Sequence, residues 1–405
     1  MVQEVRKAYR EDTHRAISTE QTFARVKPFL KRMGITRIAN VTGLDRISIP
    51  VIMVSRPNSR SVSVSQGKGL SLMAAKVSGV MEAIETWHAE RVSLPLRHAS
   101  YNDLVDEVLV VDVERLPAVV DTPFTKTKRI LWIEGRNLLT EEPQWLPYEM
   151  IHTDYTVPRP SGSGCFSCST NGLASGNHLI EATCHAICEV IERDAISLWQ
   201  MLSPNLRKKT RVDPSTVSDP LCQEVIRRFE AARIDFGIWD LTSDVGIATF
   251  RCMIVDKDED NGHIGIGDGC HNHRGIALLR ALTEAVQTRL TYISGSRDDL
   301  NPEEFTQAAL KEKCDYVCRL ISEGQGQRSF LDSPHFDSET FEEDQRHLLT
   351  KLSDVGCAQV VAVDLSKPNI GIAVVRVVIP GLEAPHDDDS YSPGARAQKF
   401  MEAFS

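Results

Sequence analysis

The sequence predicts an α+β fold in which helix-on-sheet units recur along one chain, and three observations carry that expectation. Three distant stretches share one helical spacing of polar residues: Ser78-x3-Glu82-x2-Glu85, His185-x3-Glu189-x2-Glu192 and Arg280-x3-Glu284-x2-Gln287. An Ala stands three residues before the first polar position of each (Ala75, Ala182, Ala277), and a Gly-rich segment precedes each: Gly67-Lys68-Gly69, Gly172-Leu173-Ala174-Ser175-Gly176 and Gly267-Asp268-Gly269. A second similarity sets Asp240-Leu241-Thr242, Gly246-Ile247-Ala248, Arg251 and Ile254 beside Asp364-Leu365-Ser366, Gly371-Ile372-Ala373, Arg376 and Ile379. Both members read as strand, turn, strand behind a helix, at 224–232 and 347–352.

Taken in order, residues 21–32 read as an amphipathic helix stopped by Gly34 and interrupted at Pro28, whose ring removes a backbone donor. Segments 38–41 and 47–54 read as strands. Residues 62–65 lead through a Gly-Lys-Gly turn into the first matched helix. Residues 92–160 carry Pro117, Pro123, Pro143, Pro147, Pro158 and Pro160 and read as an irregular insertion holding one strand at 130–133. The run Arg207-Lys208-Lys209 reads as a solvated turn, and the tail with Asp387-Asp388-Asp389 and Pro393-Gly394 as a mobile surface segment. The expected organisation is an N-terminal helical segment (1–34), one catalytic body (35–385) and a C-terminal tail (386–405). A cut within the body would separate the three matched helices.

A chain of 405 residues with 41% hydrophobic and 25% charged residues is that of an ordinary globular protein with a sizeable core. The net charge of −10 argues against a nucleic-acid surface. The N-terminus has no apolar signal region, and no apolar run approaches the ~20 residues that span a bilayer, so a cytoplasmic location without membrane contact is expected. Ten cysteines in such a chain read as reduced thiols. Cys165-x2-Cys168 supplies at most half a zinc site, because no second CxxC exists.

On a helix, positions i, i+4 and i+7 form one narrow line. Here that line is flanked by Val77, Met81 and Ile84, by Cys184, Cys188 and Ile191, and by Leu279, Thr283 and Val286. A solvated face would spread its charges over a broad arc, so these carboxylates are expected away from open water. Held together there, they repel one another and demand a positive partner. Ordinary Glu–Arg pairs between packed helices would satisfy any one copy. For the set, Arg280 and Lys68 are too few, and hard divalent cations with phosphate ligands would balance the rest. There is no GxxxxGK[ST] P-loop, no Rossmann GxGxxG and no GxSxG elbow. A carboxylate-lined, non-standard ATP cleft is the remaining reading, with Gly-rich turns at helix N-termini adding backbone donors.

Several runs together resemble the YcaO superfamily: Ser65-Gln66-Gly67-Lys68-Gly69 leading into Ser78-x3-Glu82-x2-Glu85, Asn171 to Asn177 leading into Glu181-Ala182 and Glu189-x2-Glu192-Arg193, and Arg280-x3-Glu284. Val41-Thr42-Gly43-Leu44-Asp45-Arg46, Pro57-Asn58-Ser59-Arg60 and Val377-Val378-Ile379-Pro380-Gly381-Leu382-Glu383 are most similar to its TfuA-associated branch. The resemblance implies a YcaO-like fold with a composite ATP cleft, and ATP- and Mg²⁺-dependent activation of a peptide-backbone amide. It implies addition of a nucleophile to the carbonyl, phosphorylation of the oxygen and loss of phosphate. External sulfide would give a thioamide, the outcome associated with the branch that has a TfuA partner, in RiPP biosynthesis or on a protein; an internal Cys, Ser or Thr would give an azoline. By motif position, Glu82, Glu85, Glu189 and Glu192 are expected to bind Mg²⁺, and Ser78, Asn177, Glu181, Arg280 and Glu284 to surround the nucleotide. Lys68 and Gln287 join them by spacing alone, and no residue is assigned as catalytic acid or base.

His185 stands where the first copy has Ser78, as a ligand, a proton carrier or a hydrogen-bonded core residue. The sequence ends at Ser405 without the Pro-rich C-terminus of azoline-forming members, which favours thioamidation. A cyclodehydratase and a non-catalytic binding subunit remain the alternatives. Expected partners are a peptide or protein substrate, a sulfur donor, a TfuA-like protein and a second copy of the chain in a homodimer.

Overall fold

A computed structural model describes residues 4–256, 263–324, 326–384 and 391–404. The chain forms α1 (Thr19–Val26), β1 (Arg37–Asn40), β2 (Val51–Ser55), β3 (Val64–Lys68), α2 (Leu72–Ala89), β4 (Leu96–Ala99) and α3 (Tyr101–Val105). There follow β5 (Ile130–Asn137), β6 (Pro143–Pro147), β7 (Leu173–Gly176), α4 (Leu179–Met201), α5 (Pro204–Lys209), α6 (Pro220–Ala231), β8 (Ile234–Asp240), β9 (Thr249–Asp256) and β10 (Gly265–Cys270). Last come α7 (Arg274–Ser294), α8 (Gln307–Ser322), α9 (Phe341–Asp354), β11 (Val361–Asp364), β12 (Ala373–Val378) and α10 (Ala395–Phe404). Pro28 acts as expected: α1 stops at Val26 and a 3-10 turn, Lys27–Phe29, follows.

The contacts divide the chain into two compact units, the boundary falling within α2. One comprises residues 1–7, 84–201 and 338–405. Its sheet has the order β4-β5-β11-β12-β7, with β6 paired to β5. Every pairing is antiparallel, and α4 packs on β7 and β12. Ile187 and Ile191 of α4 and Val375 and Val377 of β12 are buried. The other unit comprises residues 8–83 and 202–337 and has two three-stranded antiparallel sheets, β1-β2-β3 and β10-β9-β8. Its core joins Ile49, Val51, Phe229, Ile238, Phe250, Ile254, Leu278 and Leu282.

The Gly-rich segments expected as turns are strands: β3, β7 and β10. Their glycines permit close approach to a helix. A Cβ on Gly67 would lie 2.0 Å from the Gly79 nitrogen and 2.1 Å from the Ala75 oxygen, and one on Gly267 would lie 2.2 Å from the Ala285 nitrogen and 2.3 Å from the Ala281 oxygen. In β3 and β10 the strand backbone therefore lies directly on the small-residue face of the helix, well past its N-terminus, whereas Gly176 of β7 lies beside the first turn of α4.

The second repeat is equally physical. Asp240 accepts from the Thr242 amide and Asp364 from the Ser366 amide, 2.8 and 2.9 Å. Thr242 Oγ1 accepts from the Thr249 amide and Ser366 Oγ from the Val374 amide, 3.2 and 3.0 Å. Two hairpins, β8–β9 and β11–β12, thus share one turn chemistry.

Three expectations are corrected. Residues 92–160 hold β4, α3, β5 and β6 rather than one strand, because prolines fall at strand ends: Pro143 opens β6 and Pro147 closes it. Arg207-Lys208-Lys209 is the last turn of α5, where cations complement the helix dipole. The tail ends in α10, which packs on α4 and is tied by Arg396 to buried Asp194 at 2.8 Å; Asp387-Asp388-Asp389 lies outside the described residues. All ten cysteines are free thiols. No helix among the described residues is long and apolar enough to cross a membrane.

Gly267→Ala would force strand backbone from helix backbone, at a cost of about 1–3 kcal/mol or more. Gly43 has no atom within 4 Å of its would-be Cβ, so Gly43→Ala is expected to be neutral or stabilising by up to about 1 kcal/mol. Urea unfolding of the two variants checks the contrast.

Candidate functional site

The polar lines are placed as the flanking residues demand. Ser78, Glu82 and Glu85 on α2, His185 and Glu189 on α4, and Arg280, Glu284 and Gln287 on α7 are half-buried, and Glu192 is buried. Their flanks Val77, Ile84, Cys184, Cys188, Ile191, Leu279, Thr283 and Val286 are all buried, while Met81 is half-buried.

Of the expected site residues, one unit carries Lys68, Ser78, Glu82, Arg280, Glu284 and Gln287. Lys68 Nζ meets Glu284 at 2.5 Å, and the Lys68 amide reaches Ser78 Oγ at 3.4 Å. The Gln66 amide donates to Glu82 and the Asp268 amide to Glu284, at 3.4 and 3.5 Å. In two of the three copies the repeat has a chemical purpose: a glycine-bearing strand lies close enough to its helix for strand amides to reach the helix carboxylates. Arg280 and Gln287 flank Glu284 on the same line of α7. Gln287 enters further through its carbonyl, which accepts from Thr291.

The other unit carries Glu85, Asn177, Glu181, Glu189 and Glu192. Glu85 Oε1 accepts from both the Ser175 amide at 2.8 Å and the Ser175 hydroxyl at 2.7 Å, from β7. Asn177 lies between β7 and α4, Glu181 is buried in the first turn of α4, and Glu189 and Glu192 follow on that helix. Ser175, Arg297 and Arg376 were missed by sequence reasoning. Ser175 lay inside the quoted Gly-rich segment, where the glycines drew the attention. Arg297 pairs locally with Asp299 but bears on Glu82 from far along the sequence, and Arg376 donates to the carbonyl of distant Ser169.

Loss of water pushes the Glu82 carboxyl up to about 7, against the pull of Arg297, the Gln66 amide and Lys68, with Glu284 adding to the rise. Among the described residues no group of three or more His, Cys, Asp and Glu stands in a metal-holding arrangement. Cys165 and Cys168 give their thiols to the carbonyls of Gly162 and His152. An oxygen-donor set fits Mg²⁺, which takes one or two protein carboxylates and completes its shell with phosphate and water. Of the carboxylates expected to hold it, Glu82 lies in one unit with Lys68 and Arg280, and Glu85, Glu189 and Glu192 lie in the other.

Because the folded-state pKa of Glu82 is raised, the folded ligand-free protein holds that proton more tightly than the unfolded chain. Its contribution to stability is complete in acid and is lost as pH rises from the ordinary glutamate range through about 7. Thermal melts across this interval should show the decline, and Glu82→Gln should flatten it.

Comparison with known proteins gives a consistent answer. A family described as YcaO cyclodehydratase, binding ATP and Mg²⁺, matches residues 66–383. A protein of Rhizobium leguminosarum bv. trifolii, described as uncharacterised in the tfuA 3′ region, is 34% identical over 390 residues, covering 95% of this chain and 92% of its own. An uncharacterised Methanothermobacter thermautotrophicus protein is 33% identical over 375 residues, covering 91% and 94%. The solved YcaO from Methanopyrus kandleri bound with AMPPCP and Mg²⁺ superposes with a TM-score of 0.75 at 21% identity, covering 96% of this chain and all of that one. A heterocyclase in complex with substrate and cofactor gives a TM-score of 0.78 at 22% identity, covering 97% and 55%. These two share the fold. The matching family is described as binding ATP and Mg²⁺, its match spans all three repeated carboxylate helices, and the chain belongs to the YcaO family.

Proposed function

We propose that the chain forms a thioamide in the backbone of a ribosomally made peptide or protein, using ATP, Mg²⁺ and a sulfur donor, together with a TfuA-like partner. The observation that carries this reading is the 34% identity, over nearly the whole of both chains, with a protein from a tfuA region. ATP supplies the group that turns an amide oxygen into a leaving group. The chain's own residues prepare for it. Glu82, Glu85, Glu189 and Glu192 hold Mg²⁺; Ser78, Asn177, Glu181, Arg280 and Glu284 surround the nucleotide, with Lys68 and Gln287 at its edge. Lys68 neutralises Glu284 until phosphate enters, and Ser175 fixes the Glu85 carboxylate through two hydrogen bonds.

A second reading, azoline formation, is favoured by the family's description as cyclodehydratase. Mass spectrometry of a peptide encoded beside this gene, incubated with the chain, its TfuA-like neighbour, sulfide and MgATP, separates the two. Exchange of oxygen for sulfur supports thioamidation, and loss of water establishes the azoline. Glu85→Gln and Glu192→Gln should each lower ATP turnover ~100-fold or more while the fold persists by circular dichroism. Full turnover in both variants would remove the site assignment.

Calorimetry with ATP tests the nucleotide site without a peptide. Binding in Mg²⁺ that disappears on chelation is expected. No binding under either condition would favour a non-catalytic subunit.

A further inference from the structure

The duplicated hairpins place arginines at equivalent positions, Arg251 on β9 and Arg376 on β12. Arg251 faces Asp268 across the β9–β10 pairing, and the two form a bidentate pair, Nε to Oδ1 at 2.8 Å and Nη2 to Oδ2 at 2.9 Å. Arg376 faces Leu173 across the β12–β7 pairing. The fold has kept the cation and replaced its carboxylate by an apolar side chain.

Arg376 is only 2% exposed. Its Nη2 donates to the Ser169 carbonyl at 2.8 Å, while Nε and Nη1 have no hydrogen-bond acceptor among the described residues. Burial lowers its pKa, and Glu189 on α4 opposes that shift. A buried guanidinium with unmet N–H groups is a standing cost to the folded state until an acceptor arrives.

The surroundings form a built pocket. Arg376 lines a cavity of about 30 Å³ with Asn171, Ser167, Ser169, Met150 and Val190, room for a small polar group such as a carboxylate and not for a larger ligand. Asn171 Oδ1 is buried with no donor among the described residues, an acceptor suited to a peptide N–H next to the charged group. The loop that walls the cleft is held by buried Glu149, whose carboxylate accepts from the amides of Gly164, Cys165 and Phe166. Cys168 nearby is pushed up to about 11 by burial and stays a neutral thiol, so Arg376 remains without an anionic partner from that loop.

We propose that this cleft binds a carboxylate of the peptide substrate, from an acidic side chain or a chain terminus, which takes at Arg376 the place that Asp268 takes at Arg251. The inference rests on the peptide-substrate reading and adds a specificity site to it. The cavity has room for the charged group itself, and its lining combines the polar Asn171, Ser167 and Ser169 with the apolar Met150 and Val190.

Saturation-transfer NMR on the full chain tests it with three probes: N-acetylglycine for a terminal carboxylate, N-acetylaspartate α-amide for a side-chain carboxylate, and N-acetylglycinamide as neutral control. One or both carboxylates should bind, and the one that binds identifies the source. The neutral control should be weaker by about tenfold or more. Leu173→Asp supplies the carboxylate internally, so it should retain or raise the melting temperature and abolish probe binding. Arg376→Gln should also abolish it. Asn171→Ala, in the loop, should weaken it severalfold and serves if a strand variant does not fold.

MgATP binding, followed in parallel, should survive Leu173→Asp. Equal binding of the neutral probe, no binding of either carboxylate, or carboxylate binding unchanged in the folded variants would each overturn the proposal. Carboxylate binding without MgATP binding by the parent chain would overturn the nucleotide reading and leave this pocket standing.

Discussion

The closeness of strand to helix governs this protein. Gly67 and Gly267 bring strand backbone within reach of the helical residues Ala75, Gly79, Ala281 and Ala285. A methyl group at either glycine would close that distance to about 2 Å of helix backbone atoms, inside any van der Waals contact. Once strand and helix touch, amides of Gln66, Lys68 and Asp268 fall beside Glu82, Ser78 and Glu284. The packing and the polar line are one arrangement, and neither could be moved alone.

That arrangement also explains how carboxylates persist in apolar surroundings. Each is given specific donors instead of bulk water: Lys68 for Glu284, two Ser175 donors for Glu85, a strand amide and nearby cations for Glu82. Donors of this kind fix direction without cancelling the charge entirely. On the proposed function, these fixed donors and carboxylates are what a hard cation and a polyphosphate would meet.

Much of this was legible in the sequence. The polar line on each helix was readable because the period of an α-helix turns spacing into geometry, and the burial of the flanks follows it. The glycines were misread as turns because glycine near a helix usually punctuates the chain; their contact with Ala75 or Ala281 exists only in three dimensions. The matched hairpins were visible down to Asp240 and Asp364, because a side chain bonding an amide two residues on is local chemistry. Arg376 was quoted in that repeat, yet its significance depends on which residue lies across the next strand. Leu173 and Asp268 sit in segments whose register no single sequence reveals. Helix α10 escaped because Arg396 is held by Asp194, some two hundred positions earlier.

The order of the six-stranded sheet bears on how the chain is made. β5 and β7 are translated early, but β11 and β12, which lie between them, come more than a hundred and fifty residues later. Until those strands leave the ribosome, β5 and β7 each have an edge with no neighbour, and helix α4 lacks the strand β12 on which it packs. Nascent chains in that state expose hydrogen-bonding edges and apolar surface for the whole of that interval. Biogenesis of the protein therefore waits on its last hairpin, and a truncation that removes β11 and β12 leaves β7 unpaired from the strands of the early half.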